Sequence, residues 1–201
     1  MRTANRVRCE KVVLIGAASS GKTSILTRFA QGKFSQETEA TIGASFIPKV
    51  INVDGTDIKL DIWDTGGSEK YRSLAPLYYR DARAAIIVYD ITNENSFREA
   101  EQWCQEFRER GTPNAIIFCA ANKCDLEPQR QVSKKMGEEF IFQNQILMLQ
   151  NTSALTGEGI NELFNNLGKE LLQLPPTDSG EEIQIIEAEN GKGTSKGGCD
   201  C

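Results

Sequence analysis

Histidine is absent from this chain of 201 residues. That absence removes every catalytic triad built on an imidazole, every His-ligated metal and every imidazole acid-base mechanism. Long apolar runs are also missing, and the opening Met1-Arg2-Thr3 leads into no apolar segment of the kind a secretory leader needs. The six cysteines do not form the pattern of a disulfide framework. Cys9, Cys104, Cys119 and Cys124 fall in or beside segments patterned as buried strands and helices, and Cys199 and Cys201 close the chain. A reducing, cytosolic setting is expected. Positive charge is not in excess either, with 23 basic against 28 acidic side chains and a formal charge of −5. Six of the acidic residues but only two of the basic ones lie from Pro175 onward, so the body is near neutral. A broad basic surface is excluded, and nucleic acid is not expected as a partner.

What is present suits one globular domain with a short appendage, since 39% of the residues are hydrophobic and can supply a core. Lys11 to Gly16 is an apolar run ending in glycine, and Ile25, Leu26 and Phe29 then recur at helical spacing, which predicts strand, loop, helix. Ala44 to Val53 and Ile58 to Asp64 flank Asp54-Gly55, a dipeptide suited to a tight hairpin turn. Ala84 to Tyr89, Ala115 to Ala120 and Ile146 to Leu149 are continuous apolar runs, as strands covered on both faces should be. Between and after them, Phe97, Ala100, Trp103, Cys104 and Phe107 form one helical stripe, and Ile160, Leu163, Phe164, Leu167 and Leu171 another. The fold class is α/β: a six-stranded, mostly parallel sheet with one antiparallel strand and helices on both faces. Residues 1–9 read as a short extension, 10–174 as the domain, and 175–201, after Pro175-Pro176, as a disordered tail in which Ile183, Ile185 and Ile186 are the only apolar cluster.

Gly16-Ala17-Ala18-Ser19-Ser20-Gly21-Lys22-Thr23 matches G-x-x-x-x-G-K-[ST] and sits after a strand and at the opening of a helix, where a phosphate loop belongs. Its glycines let backbone N–H groups face phosphates, Lys22 neutralises β and γ oxygens, and the Thr23 hydroxyl can ligate Mg²⁺. Asn122-Lys123-Cys124-Asp125 follows a buried strand at its carboxyl end. Alone it could be an ordinary polar loop. After a phosphate loop, Asp125 can accept from the ring N–H and exocyclic amine of guanine, a donor pair that adenine lacks. Asp64-Thr65-Gly66-Gly67 fits D-x-x-G, in which Asp64 would hold Mg²⁺ through water and the Gly67 N–H would sense a γ-phosphate. Thr41 is the candidate for a second hydroxyl on Mg²⁺.

With these motifs in order, Lys11 to Leu174 resembles a Ras-superfamily G domain, a P-loop NTPase fold, and specifically the Rab family. The stretches TIGASF, IWDTGGSEKYRSLAPLYYR and VYDITNENSF resemble the early-endosomal subgroup most. The resemblance implies a nucleotide site of Ala18, Ser19, Ser20, Gly21, Lys22, Thr23, Ser24, Phe34, Thr41, Gly67, Asn122, Lys123, Asp125, Ser153, Ala154 and Leu155. Metal contacts fall on Thr23, Thr41 and Asp64, and the catalytic set on Lys22, Thr41, Gly67 and Ser68. It also implies GTP and GDP with Mg²⁺ as bound species and an effector surface at Phe46, Trp63 and Tyr78. The partners it implies are GTP-dependent effectors, an exchange factor, a GTPase-activating protein and a prenyl-binding escort of the GDI type, around a monomer. Trafficking at the cytoplasmic face of endosomal or other vesicular membranes, with a cytosolic escort-bound pool, is the expected task.

Three positions depart from the family pattern. Gly66 and Ser68 stand where D-T-A-G-Q has alanine and glutamine, so the group that would orient the attacking water is missing and slow intrinsic hydrolysis is expected. A GTP-loaded platform that hardly turns over is the rival reading. Leu155 replaces the lysine of S-A-K beside the base. The tail has only Lys192 and Lys196 ahead of Cys199-Asp200-Cys201, so electrostatic help at an anionic membrane should be weak. That ending is no C-a-a-X box and resembles the double-geranylgeranyl signal of Rabs.

Overall fold

The computed structural model describes residues 6–36, 41–67, 75–176 and 183–184. Strands β1 (Arg6–Ile15), β2 (Ala44–Val53), β3 (Thr56–Thr65), β4 (Ala84–Asp90), β5 (Ile116–Asn122) and β6 (Met148–Thr152) form one sheet. Their order is β2-β3-β1-β4-β5-β6; only the β2–β3 pair is antiparallel. Helices α1 (Lys22–Gln31), α2 (Ala75–Tyr79), α3 (Glu94–Arg110), α4 (Lys134–Gln143) and α5 (Ile160–Gln173) cover both faces, and a short 3₁₀ helix spans Cys124–Gln129. The six-stranded α/β arrangement is the one the apolar runs predict.

Because side chains alternate across a strand, a run that is apolar at every position must feed two cores. It does. Val13, Ile15, Ala85, Ile87, Ile117 and Cys119 pack with Tyr79 of α2, the Phe97 to Phe107 stripe of α3, and Phe140 of α4. Their neighbours Val12, Leu14, Ala84, Ile86, Val88, Phe118 and Ala120 pack on the other face with Ile25 and Leu26 of α1 and the Ile160 to Leu171 stripe of α5. Phe29 and Phe164 stack there at 3.7 Å between ring centroids. Asp54 and Gly55 take positive φ, 49° and 89°, which is what a two-residue hairpin turn between twisted strands requires.

Three differences from the sequence reading concern ends. β1 begins at Arg6, not Lys11, because a polar start is tolerated there: Glu10 is buried and paired with both Arg8 and Arg83. β6 runs over 148–152, later than the apolar stretch 146–149, since its ladder with β5 continues through the polar Gln150, Asn151 and Thr152 of an edge strand. Ile183–Gln184, inside the expected tail, forms a short strand β7 paired antiparallel with Val7 and Arg6. Apart from Pro175 and Pro176, the remaining tail positions lie outside the described residues.

Candidate functional site

Every motif sits at the carboxyl end of a parallel strand: the phosphate loop after Ile15 of β1, Asp64 in β3, Asp90 ending β4, Asn122 ending β5, and Ser153 just beyond β6. Open α/β sheets bind ligands at this edge. The loop from Gly16 to Gly21 depends on close backbone approach. A Cβ on Gly16, at φ 142°, would lie 2.2 Å from Val88 O; one on Gly21, at φ 99°, would lie 2.1 Å from Asn122 Nδ2. Ser19 adopts φ 59° without glycine's freedom. Ala18 and Ser19 are exposed on the rim, Ser20 is buried, and Ser24 follows half-buried in the first turn of α1.

Lys22 is buried, and its ammonium donates to Gly16 O at 2.9 Å and Ala17 O at 2.7 Å. Burial brings its pKa down to about 8 against the upward pull of Asp64. Asp64 is fully buried, and burial raises its carboxyl pKa against the hydrogen bond from Thr23, the charge of Lys22 and the contact with Thr41. Thr23 Oγ1 donates to Asp64 Oδ2 at 2.6 Å, Thr41 Oγ1 lies 2.9 Å from Thr23 Oγ1, and Thr41 Oγ1 is 3.5 Å from Asp64 Oδ2. Asp64 Oδ1 has no hydrogen-bond partner among the described residues. A buried carboxylate oxygen left unpaired needs an explanation. Two hydroxyls and a carboxylate converging on one point are hard oxygen donors that fit Mg²⁺, which when bound would neutralise phosphate charge beside them. Lys22 thus offers a place for an anion and Asp64 one for a cation, with the two side chains close enough for their charges to act on each other.

Gly67 closes the phosphate end. A Cβ there would lie 2.5 Å from Ala17 C, Ala18 N and Lys22 Nζ, so only glycine fits without a shift. The Gly66 N–H donates to Gly43 O at 2.8 Å, which joins the D-x-x-G segment to the loop carrying Thr41. Ser68 lies outside the described residues, as do Cys199 and Cys201.

At the base end Asn122 is buried and bonded twice: its Nδ2 donates to Ser20 O at 2.8 Å and its Oδ1 accepts from Thr152 Oγ1 at 3.2 Å. Lys123 takes a left-handed backbone, φ 65°, and its ammonium meets Asp90 Oδ2 at 2.6 Å. Asp125 Oδ1 accepts from Ser153 Oγ at 2.5 Å. Ala154 is buried, Leu155 is exposed, and Arg28 of α1 donates to the carbonyls of both. The structure therefore brings together all the described residues that the motifs select, except that Phe34 packs half-buried against the core beneath α1 and α5.

Asp90 and Arg28 were not singled out by the sequence. An aspartate closing a fully buried strand was the available signal for Asp90, whose Oδ1 also accepts from Thr92 N and Oγ1. Arg28 gave none, because its partners are main-chain carbonyls more than a hundred residues away.

Beside the phosphate end, Phe46, Trp63 and Tyr78 form a row with centroid separations of 5.3 and 5.9 Å. Lys11 lies 5.1 Å over the Trp63 ring. Phe46 is 46% exposed; the apolar Ile42, four residues before it in the chain, and Leu77, next to Tyr78 in the chain, are 79% and 68% exposed. Among the described residues no helix is long and apolar enough to cross a membrane.

The sequence model of the Ras family matches residues 11–173. The chain is 40% identical over 200 residues to the Ras-related protein Rab-5A of Dictyostelium discoideum, covering 99% of both chains. It is 43% identical over 169 residues to the Ras-related protein Rab5A of Oryza sativa subsp. japonica, covering 84% of this chain and 83% of that one.

Proposed function

The chain belongs to the Ras family, and within it to the Rab GTPases of the early-endosomal subgroup, and from that premise we propose that its site is a two-state switch read by effectors. It is a GTPase, of a family that binds GTP and GDP with Mg²⁺. The observation that carries the switch is the meeting of Thr41 and Gly67 on the phosphate loop: Thr41 reaches Thr23 and Asp64, and Gly67 packs on Ala17, Ala18 and Lys22. Lys22, Thr23 and Asp64 would hold a γ-phosphate with Mg²⁺, whose charge would favour the inward placement of the Thr41 and Gly67 segments, and without that charge both would be released. Thr41 lies five residues before Phe46, so the same event governs the Phe46, Trp63 and Tyr78 surface on which an effector docks. At the base end Asp125, steadied by Ser153, selects guanine, with Asn122 and Lys123 framing it. Prenyl chains on Cys199 and Cys201 hold the protein at endosomal or other vesicular membranes, since two chains anchor durably where one does not. Fractionation of the double variant Cys199→Ser, Cys201→Ser tests that arm.

Ser68 supports slow turnover, because a serine hydroxyl has too short a stem to orient the attacking water as glutamine does. One such hydrogen bond in the transition state is worth about 1 to 3 kcal/mol, roughly 5- to 150-fold in rate. The same residue favours the second reading, a standing GTP-loaded platform. Single-turnover hydrolysis on the purified chain separates them. Ser68→Gln is expected to raise the intrinsic rate by about that factor with nucleotide affinity little changed, and an activating protein is expected to stimulate the wild type. A wild-type rate equal to that of Ser68→Gln would refute the role given to Ser68; no stimulation by any activating protein would favour the platform.

A further inference from the structure

Arg28 lies in α1, the helix that opens with Lys22 and Thr23 at the phosphate end. Its guanidinium donates through Nε to Ala154 O at 2.8 Å and through Nη2 to Leu155 O at 2.5 Å. A third bond runs from Nη1 to Gly32 O at 3.0 Å, at the end of its own helix. Arginine is suited to this work because its planar fork presents donors in fixed directions and stays charged at any pH a protein meets.

The contact with Leu155 O continues beyond the carbonyl. A trans peptide is planar, so fixing the carbonyl of Leu155 fixes the N–H of Thr156 in the opposite direction. The Thr156 N–H donates to Ser153 Oγ at 3.1 Å, and Ser153 Oγ donates to Asp125 Oδ1 at 2.5 Å. A continuous path therefore runs from the guanidinium through one peptide and one buried hydroxyl to the carboxylate that reads guanine. A positive charge at one end polarises each bond in such a chain toward the other. The turn is closed on itself by Ser153 N to Glu158 O at 2.9 Å and Gly157 N to Ser153 O at 2.8 Å, so it moves as a unit when its outer carbonyls are held.

We propose that Arg28 is a positioning residue for base recognition: through the Leu155–Thr156 peptide and Ser153 it sets the orientation of Asp125, coupling the helix of the phosphate loop to guanine selectivity. The inference rests on the assignment of Asp125 as the guanine acceptor. It also gives the base loop of this chain a cation from α1, where Leu155 itself brings none.

The test compares GDP with inosine diphosphate, which keeps the ring N–H but lacks the exocyclic amine, by dissociation kinetics on the full chain with Mg²⁺ present. An arginine that only caps its helix or tightens the fold would, when lost, weaken both nucleotides alike. Arg28→Ala is expected to speed GDP release by about 10-fold or more, as the loss of charge-assisted hydrogen bonds implies, and to shrink the preference for GDP over inosine diphosphate. Arg28→Lys, with a charge but no fork, is expected to fall between, and remains measurable if the alanine variant folds poorly. Ser153→Ala breaks the same path, so the combined variant is expected to lose less selectivity than the two single losses multiplied. Equal weakening of both nucleotides by Arg28→Ala, an unchanged preference in Arg28→Lys, or full multiplicativity with Ser153→Ala would each overturn the proposal. Asp125→Ala serves as the control: if it leaves the preference intact, the guanine assignment itself fails, whereas a preference lost in Asp125→Ala but kept in Arg28→Ala overturns the role of Arg28 alone.

Discussion

Asn122 shows how much of the site depends on one side chain. Its amide joins the phosphate loop at Ser20 to the end of β6 at Thr152, so the two ends of the nucleotide site are fixed relative to each other by a single buried residue. Two residues on, Cys124 reports the electrostatics of the base end. Burial, with the carboxylates of Glu158 and Asp125 nearby, pushes its thiol up to about 11. The thiolate is the nucleophile, and at pH 8 its fraction here is about 100-fold below that of a thiol two pH units more acidic. Alkylation of Cys124 in the GDP-bound chain, followed by peptide mass spectrometry, is expected to be correspondingly slow at pH 8 and to rise about tenfold per pH unit up to about 11. Alkylation as fast as that of an ordinary free thiol would mean that burial and the two carboxylates do not act on it in solution.

Among the elements, legibility follows from burial. β4 and β5 are apolar on both faces up to their last residues, Asp90 and Asn122, and so their runs announced them. The first turns of β1 and the last residues of β6 did not, because Arg8, Glu10, Asn151 and Thr152 are polar and owe their strand conformation to partners distant in sequence. The site was legible to the same degree. Lys22, Thr23, Asp64, Asn122 and Asp125 sit in spaced motifs, whereas Arg28 acts through carbonyls that any residue could have supplied. The role proposed for Gly67 belongs to this scale because it depends on how closely β3's exit approaches the phosphate loop. With a Cβ 2.5 Å from Ala17 C, Ala18 N and Lys22 Nζ, Gly67→Ala must push the segment away. The N–H contact proposed here to a γ-phosphate, worth about 1.5 to 3 kcal/mol as a hydrogen bond to a charged group, would go with it. Titration of the alanine variant is expected to show GDP binding nearly intact and GTP affinity lower by roughly 10- to 150-fold. An unchanged ratio of the two affinities would remove Gly67 from the switch.

At the scale of the whole molecule the two ends of the sheet have different tasks. At the amino ends of the strands the buried Glu10, between Arg8 and Arg83, organises the chain's exit: Arg8 donates to Leu174 O at 2.8 Å and Arg83 to Pro175 O at 2.7 Å. Breaking such a buried pair from one side typically costs about 3 to 5 kcal/mol, which makes this cluster a structural element. At the carboxyl ends, β1, β3, β4 and β5 deliver the phosphate loop, Asp64, Asp90 and Asn122 to one edge, with the row of Phe46, Trp63 and Tyr78 beside it. Equilibrium competition shows whether this edge is built for a guanine nucleotide. A fluorescent GDP analogue bound to the full chain with Mg²⁺ is displaced by GTP or by ATP, in the wild type and in Asp125→Ala. Displacement by GTP at comparable concentration is expected, none by ATP at large excess, and a loss of about 2 to 5 kcal/mol of that preference in Asp125→Ala. ATP displacing the analogue as readily as GTP from the wild-type chain would contradict the guanine assignment.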